Sequence, residues 1–261
     1  MPRIALGVRY DGSSYHGWQV QDGLSTVQQQ VERALSVVAN QPIMVVCAGR
    51  TDAGVHASGQ VLHFDTVAYR SDHAWIFGSN NNLPYDISII WAKEVDKGFH
   101  ARYRALTRRY RYVIYNHEIR PAILRRAISW YFRPLDEKRM QVAAQFLLGE
   151  HDFSSFQGAG CQSKTPIRTI FQIEIFRIRR MVVIEIQANA FLFRMVRNIA
   201  GALVAIGSGE KEPKWAESVL KARDRQQIGA AVSPNGLYLV EVSYPTVFKI
   251  PKIPLGPFFL P

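Results

Sequence analysis

Twice along this chain of 261 residues the hydrophobic pattern runs strand, helix, strand, strand, helix, strand, and that repeated order narrows the fold more than any other feature. In the first pass Ile4, Leu6, Val8 and Tyr10 alternate up to a turn at Asp11-Gly12, the mark of a half-buried strand. Val27, Val31, Ala34, Leu35 and Val38 recur at helical spacing behind a capping box of Ser25 and Gln28, predicting a helix to about Asn40. The apolar run 43–48 and the stretch 60–64 form a strand pair; 71–79 is a shorter helix, and Ile87, Ile89, Trp91 and Val95 belong to a further strand. The second pass places a strand at 109–115, a helix at 135–148, strands at 168–178 and 181–187, helices at 191–206 and 215–222, and a last strand at 236–244. Each pass is a split βαβ, ferredoxin-like or RRM-like unit. The expectation is an α+β protein of two such halves, 1–105 and 106–261, whose edges join into one continuous, mainly antiparallel sheet, because joining removes two exposed edges. The tail from Pro245, with Pro251, Pro254 and Pro257, is expected to be an extended arm on the surface of the second half.

Thirty-two Lys and Arg against 21 Asp and Glu leave a net charge of +11. A polyanionic partner is the simplest implication, although composition alone also fits an ordinary basic protein. Two cysteines, Cys47 and Cys161, make no disulfide framework, which fits a reducing, cytoplasmic setting. The first residues run directly into a strand pattern, so no signal peptide is expected. The most apolar helical run, 191–206, is interrupted by Arg194, Arg197 and Asn198 and is too short and polar to span a bilayer. His56 and His63 stand seven apart without a cysteine pair, and there is neither a Walker loop nor a Gly-x-Gly-x-x-Gly turn after a strand. No metal and no nucleotide cofactor are therefore expected.

Between the strands of the first pair lies Gly49-Arg50-Thr51-Asp52-Ala53-Gly54-Val55-His56. Gly49 and Gly54 bracket one carboxylate and one guanidinium in a turn that another molecule can approach closely. By spacing alone this is also ordinary turn chemistry with a local ion pair. The eight residues resemble the signature loop of the tRNA pseudouridine synthase A family, and the likeness extends from Tyr10-Asp11-Gly12 to Pro257. The resemblance implies the pseudouridine synthase fold with a central cleft. It also implies isomerisation of uridine at positions 38, 39 and 40 of the tRNA anticodon stem-loop, no cofactor, and a homodimer that binds tRNA.

By the same resemblance Asp52 matches the catalytic nucleophile, Arg197 the arginine that pairs with and orients it, and Tyr110 the tyrosine that stacks on the target base, with proton transfer at C5 by its hydroxyl as a further expected role. Arg50 and His56 are expected to hold the loop and the flipped nucleotide. Helical spacing puts Arg194, Arg197 and Gly201 on one face, and strand alternation puts Tyr110 with the apolar set, opposite Arg109 and Arg111. Arg102, Arg104, Arg108, Arg109 and Arg111, interleaved with Tyr103, Tyr110 and Tyr112, suit phosphates and unstacked bases, and Arg120, Arg125 and Arg126 extend the run. Tyr15 and Trp18 cover an RNA backbone or plug a core edge, the plug being favoured. Two other classes remain in view: a non-catalytic RRM-like RNA binder, which has no need of Asp52, and a cysteine-dependent uridine methyltransferase using Cys47 or Cys161, for which no S-adenosylmethionine loop is present.

Overall fold

The structure, a computed structural model, describes residues 1–229 and 231–260. Its elements are β1 (Arg3–Tyr10), α1 (Val27–Ala39), β2 (Val46–Cys47), β3 (His56–Asp65), β4 (Ile87–Val95), β5 (Thr107–Asn116), β6 (Ser129–Tyr131), α2 (Glu137–Gln145), β7 (Gly149–Asp152), β8 (Ile167–Ile178), β9 (Met181–Ala188), α3 (Met195–Gly207), α4 (Trp215–Ala222) and β10 (Leu237–Ser243). The fold is α+β with mainly antiparallel strands. The chain divides into two compact units, Met1–Leu106 with Tyr238–Pro261, and Thr107–Leu237. The last strand and the arm, expected from sequence in the second half, thus group with the first unit.

In the first unit β1 lies between β3 and β4, antiparallel to both. The far edge of β3 carries β2, antiparallel, near its end and β10, parallel, near its start, with Tyr238 opposite His56. This is the split βαβ order, and it makes β1 central. Its residues from Ile4 to Val8 are buried on both faces, not on one. The alternation misleads because the second face is built of Ala5 and Gly7, and a Cβ on Gly7 would stand 2.0 Å from the Trp91 indole nitrogen. α1 buries Val27, Val31, Ala34 and Leu35 as its spacing predicts, and ends at Asn40 in the left-handed region. Its cap is Thr26 without a side-chain bond; Gln28, expected in a capping box, reaches Glu32 instead at 2.9 Å. The 71–79 pattern folds around a π-helical turn, Ala74–Gly78, that drives Trp75 against Phe64. Tyr15 and Trp18 are buried plugs. The arm after β10 lies along its own unit: Lys93 Nζ donates to the Lys249 carbonyl at 2.6 Å, and Phe259 packs edge-on to Tyr238.

In the second unit β9 pairs antiparallel with β5 and β8, β7 extends β8, and β6 runs parallel to β5. β6 and β7, three and four residues long, are too short to show a period. Asp136 caps α2 by accepting from the Lys138 and Arg139 N–H groups. α3 begins only at Met195, because Arg194 takes φ 59 and breaks the helical run expected from 191. Arg194 is exposed, stacked on Phe193, and shares no helical face with Arg197. No helix among the described residues is long and apolar enough to cross a membrane.

Candidate active site

The 49–56 loop is held at its neck by one side chain. Gln60, fully buried on β3, donates to the Gly49 carbonyl at 2.6 Å and accepts from the Gly49 N–H at 3.3 Å, so its amide pairs with the loop as a neighbouring strand would. It also reaches the Tyr10 hydroxyl at 3.4 Å, and that hydroxyl lies 2.8 Å from Thr51 Oγ1. These buried bonds fix the residues on either side of Arg50. A second brace comes from the 12–18 segment: Trp18 N–H donates to the Thr51 carbonyl at 3.0 Å, and Gly54 N–H to the Tyr15 carbonyl at 3.2 Å. Gly17 makes that approach possible; it sits at φ 89, and a Cβ there would stand 2.6 Å from the Thr51 carbonyl oxygen. Within the loop Val55 N–H donates to the Asp52 carbonyl, closing a turn completed by Gly54 at φ 77. Gly49 needs no positive φ and serves as the clamped residue. Asp52 is left half-buried and Arg50 exposed at the tip.

His56 is sealed beneath this loop, 1% exposed and stacked on Tyr238 at 4.7 Å. Its Nδ1 lies 3.1 Å from both the Gly12 N–H and Asp11 Oδ1, so it accepts from the first when neutral and donates to the second when protonated. The His56 bond, with help from Ser13, holds the Asp11 carboxyl well below the usual carboxylate range. The expected role of His56 in holding the loop fits this placement; direct contact with a nucleotide does not, because the ring is covered. Tyr15 ties the brace to the residue that precedes β4 through a 2.6 Å bond to Asp86, and burial together with that bond pushes its phenol up.

The second unit presents the other expected residues. Tyr110 is buried on β5, opposite Ile186 and edge-on to Phe191 at 5.0 Å. Tyr112, two residues on, is the core tyrosine, its hydroxyl bonded to Ser129 and to the Ser233 carbonyl. Arg197 on α3 is half-buried and donates from Nε to the Val232 carbonyl at 2.8 Å, which sets the plane of its guanidinium. Arg109 and Arg111 occupy the opposite face of β5, and both are held by Glu185 on β9, at 2.5 and 2.7 Å, with Gln187 completing the set. Glu185 is 4% exposed, whereas Arg109 and Arg111 are half-buried, so one buried carboxylate orients two arginines that keep part of their surface open. Arg108 donates to the Asn189 carbonyl at 2.8 Å. In the first unit Arg102 and Arg104 are exposed. Burial pushes the Cys47 thiol up to about 12, which leaves it protonated and unsuited to nucleophilic work. No group of three or more His, Cys, Asp or Glu able to hold a metal ion is present among the described residues.

Sequence reasoning misses Gln60, Gly17, Tyr10 and Glu185 as residues that serve the site. A glutamine ahead of Val61-Leu62 and a glutamate in Val183-Ile184-Glu185-Ile186 are polar residues on otherwise apolar strands, and each is a signal for a buried partner.

The family described as tRNA pseudouridine synthase matches residues 7–104 and 143–245. The chain belongs to the tRNA pseudouridine synthase family. It is an isomerase of tRNA uridine. Among curated relatives it is 76% identical to a tRNA pseudouridine synthase A of Coxiella burnetii, with all of both chains covered. It is 53% identical to that of Vibrio campbellii (99% and 98% covered) and 54% identical to that of Shewanella amazonensis (99% of each). A solved Cbf5-Nop10-Gar1 complex is similar at 13% identity and a TM-score of 0.36, over 85% of this chain and 59% of that one.

Proposed function

We propose that this tRNA pseudouridine synthase acts at positions 38, 39 and 40 of the anticodon stem-loop, with Asp52 as nucleophile and without a cofactor. The reaction breaks the N1–C1′ bond, turns the base and forms C5–C1′, and the proton lost from C5 is balanced by one gained at N1. No atom or electron is left over, so no donor or redox partner is required. The observation that carries the reading is the loop itself: one half-buried carboxylate, Asp52, on a turn braced by Gln60, Tyr10, Trp18 and Tyr15. A uridine in a base-paired arm must be extruded to reach such a group. Attack at C1′, attack at C6 and removal of the C2′ proton all begin from the same ionised carboxylate.

Arg197, oriented by Val232, is the guanidinium that keeps Asp52 charged when a base covers it, since burial alone raises a carboxyl pKa and a nearby cation opposes the rise. Tyr110 stacks on the uracil. Arg50, Arg102 and Arg108 meet the RNA backbone, and His56 holds the loop. A homodimer lets one tRNA be gripped by two subunits at the anticodon arm and at the elbow, and the protein works in the cytoplasm. The test is to incubate unmodified tRNA transcripts with the purified protein alone and map pseudouridine by carbodiimide-blocked primer extension. Modification confined to 38–40 supports the reading; modification elsewhere, or none until a cofactor is added, overturns it. Sedimentation equilibrium reports the dimer.

A further inference from the structure

Beyond β4 the chain makes a tight loop, Phe99-His100-Ala101-Arg102-Tyr103-Arg104, that is unusually well anchored for an exposed segment. Ala101 is fully buried; its N–H donates to His63 Nδ1 at 3.1 Å and its carbonyl accepts from the Tyr244 hydroxyl at 2.7 Å. His100 Nδ1 lies 3.2 Å from both the Arg102 and Tyr103 N–H groups, and the Arg104 N–H donates to the His100 carbonyl at 2.9 Å. Three rings rise through it as a column. The first, His63, is 4% exposed; His100 follows with its centroid 4.8 Å away, then Tyr103 at 4.3 Å and 31° to His100. The Arg102 guanidinium lies 5.7 Å from the Tyr103 centroid. Burial lowers the His63 pKa to about 4 and lowers that of His100 as well, so both imidazoles are mainly neutral near pH 7; His100 lies against Tyr103 at 31°, and His63 meets His100 from below at a 58° tilt.

The column ends in an open surface, with Tyr103 76% exposed. A rigid tyrosine whose ring faces solvent between two arginines suits an unpaired base, which every nucleotide can supply as a π-face, with its phosphate on the guanidinium groups. Its location is informative. The platform is tied to β3 by the Ala101–His63 bond, His63 stands opposite Val46 of β2, and Gln60, three residues before His63 on β3, clamps Gly49 at the neck of the 49–56 loop, so both features rest on the same strand of the same unit. Between Gly98 and Leu106 there is no carboxylate, and an isologous contact with a second copy through this patch would oppose arginine with arginine. An anionic partner does not meet that repulsion.

We propose that Tyr103, backed by His100 and flanked by Arg102 and Arg104, is a stacking platform for one unpaired nucleotide of the tRNA close to the extruded uridine. This rests on the tRNA reading above and adds to it a binding position outside the pocket of the reacting base. The experiment measures equilibrium binding and single-turnover rates for wild-type protein, Tyr103→Phe and Tyr103→Ala. The RNAs are an unmodified tRNA transcript and a set in which anticodon-loop nucleotides are replaced one at a time by an abasic site. The platform requires Tyr103→Ala to weaken binding by about 5- to 150-fold, the usual range for a stacked base, with the rate at saturation within about twofold. Tyr103→Phe should bind as wild type does. One abasic position should weaken wild-type binding and leave Tyr103→Ala unchanged, which identifies the stacked nucleotide. Wild-type affinity in Tyr103→Ala, or equal losses at every abasic position in both proteins, overturns the proposal. So does a change of sedimentation state in Tyr103→Ala without loss of RNA affinity, which makes the patch a protein contact. Because binding is read without turnover, a failure of the 38–40 assignment shows separately, as pseudouridine mapped elsewhere.

Discussion

Gly17→Ala isolates what the second brace does for the loop. At φ 89 any side chain strains the backbone, by about 1–2 kcal/mol. Gly23, at φ 73 with nothing within 4 Å of an added Cβ, carries a similar strain and no collision, so Gly23→Ala is the matched control. At Gly17 the methyl would lie 2.6 Å from the Thr51 carbonyl oxygen and 3.1 Å from the Asp52 carbonyl carbon, and contacts under 3.0 Å are essentially never seen. Relief requires a movement of at least about 0.4 Å, and the backbone that must yield is that of Thr51 and Asp52. If a misplacement of about 1 Å costs about 100-fold in rate, the smallest movement costs about sixfold. Urea unfolding should show Gly23→Ala destabilised by the backbone strain alone and Gly17→Ala by that strain plus the cost of relieving the collision, about 1–3 kcal/mol more. Single-turnover conversion at saturating tRNA should fall between about 6- and 100-fold for Gly17→Ala and by less than twofold for Gly23→Ala. Equal rates in the two variants would refute the claim that the Gly17 contact positions Asp52.

Gln60→Leu keeps the volume and strands both polar groups of Gly49; it should cost about 1–3 kcal/mol of stability for the unpaired groups, measured by urea unfolding, and slow single turnover more than it weakens tRNA binding. His63 has a folded pKa of about 4 against about 6.5 unfolded. Its contribution is complete above pH 6.5 and is lost as pH falls from there toward 4, by up to about 1.4 kcal/mol per unit. The unfolding free energy of His63→Gln should therefore be flatter than wild type over that window, with residual slope from His100 and, toward pH 4, from the lowered carboxyls of Glu137, Asp65 and Asp152, all of the same sign. Parallel curves would count against it. Arg197→Lys keeps the charge but loses the planar fork fixed by Val232, and should lower the single-turnover rate at least tenfold with tRNA affinity unchanged; wild-type turnover would return Arg197 to a role in packing.

Element order is legible in the sequence because α1, β4, α2 and β8 bury side chains largely at their own period, while β1 alternates large and small residues and β9 is a short apolar run. What misleads is chemistry that a period cannot encode. β1 looks half-buried because its second face is made small, by Gly7 under Trp91. α3 starts late because Arg194 adopts a left-handed φ that no composition signals. Chain order puts β10 with the second half, whereas its pairing with β3 depends on a register that only tertiary structure reveals. Asp52 stands out through its loop motif, not through any property of an isolated aspartate. The five arginines between 102 and 111 read as one basic surface, but alternation does not show that a buried Glu185 lies across from Arg109 and Arg111 and pairs with both.

Asp52→Asn, which removes the charge with almost no change of volume, tests whether the Asp52 carboxylate performs the isomerisation. Wild type and variant are given the same unmodified tRNA transcript at enzyme excess, pseudouridine is quantified at 38–40, and binding and unfolding are measured in parallel. The variant should keep native stability to within about 0.5 kcal/mol and tRNA affinity within a few-fold, and should form no pseudouridine beyond the trace that deamidation produces. Pseudouridine formation by Asp52→Asn at more than a few per cent of the wild-type rate, in protein shown by mass spectrometry to retain the asparagine, would contradict that role for Asp52.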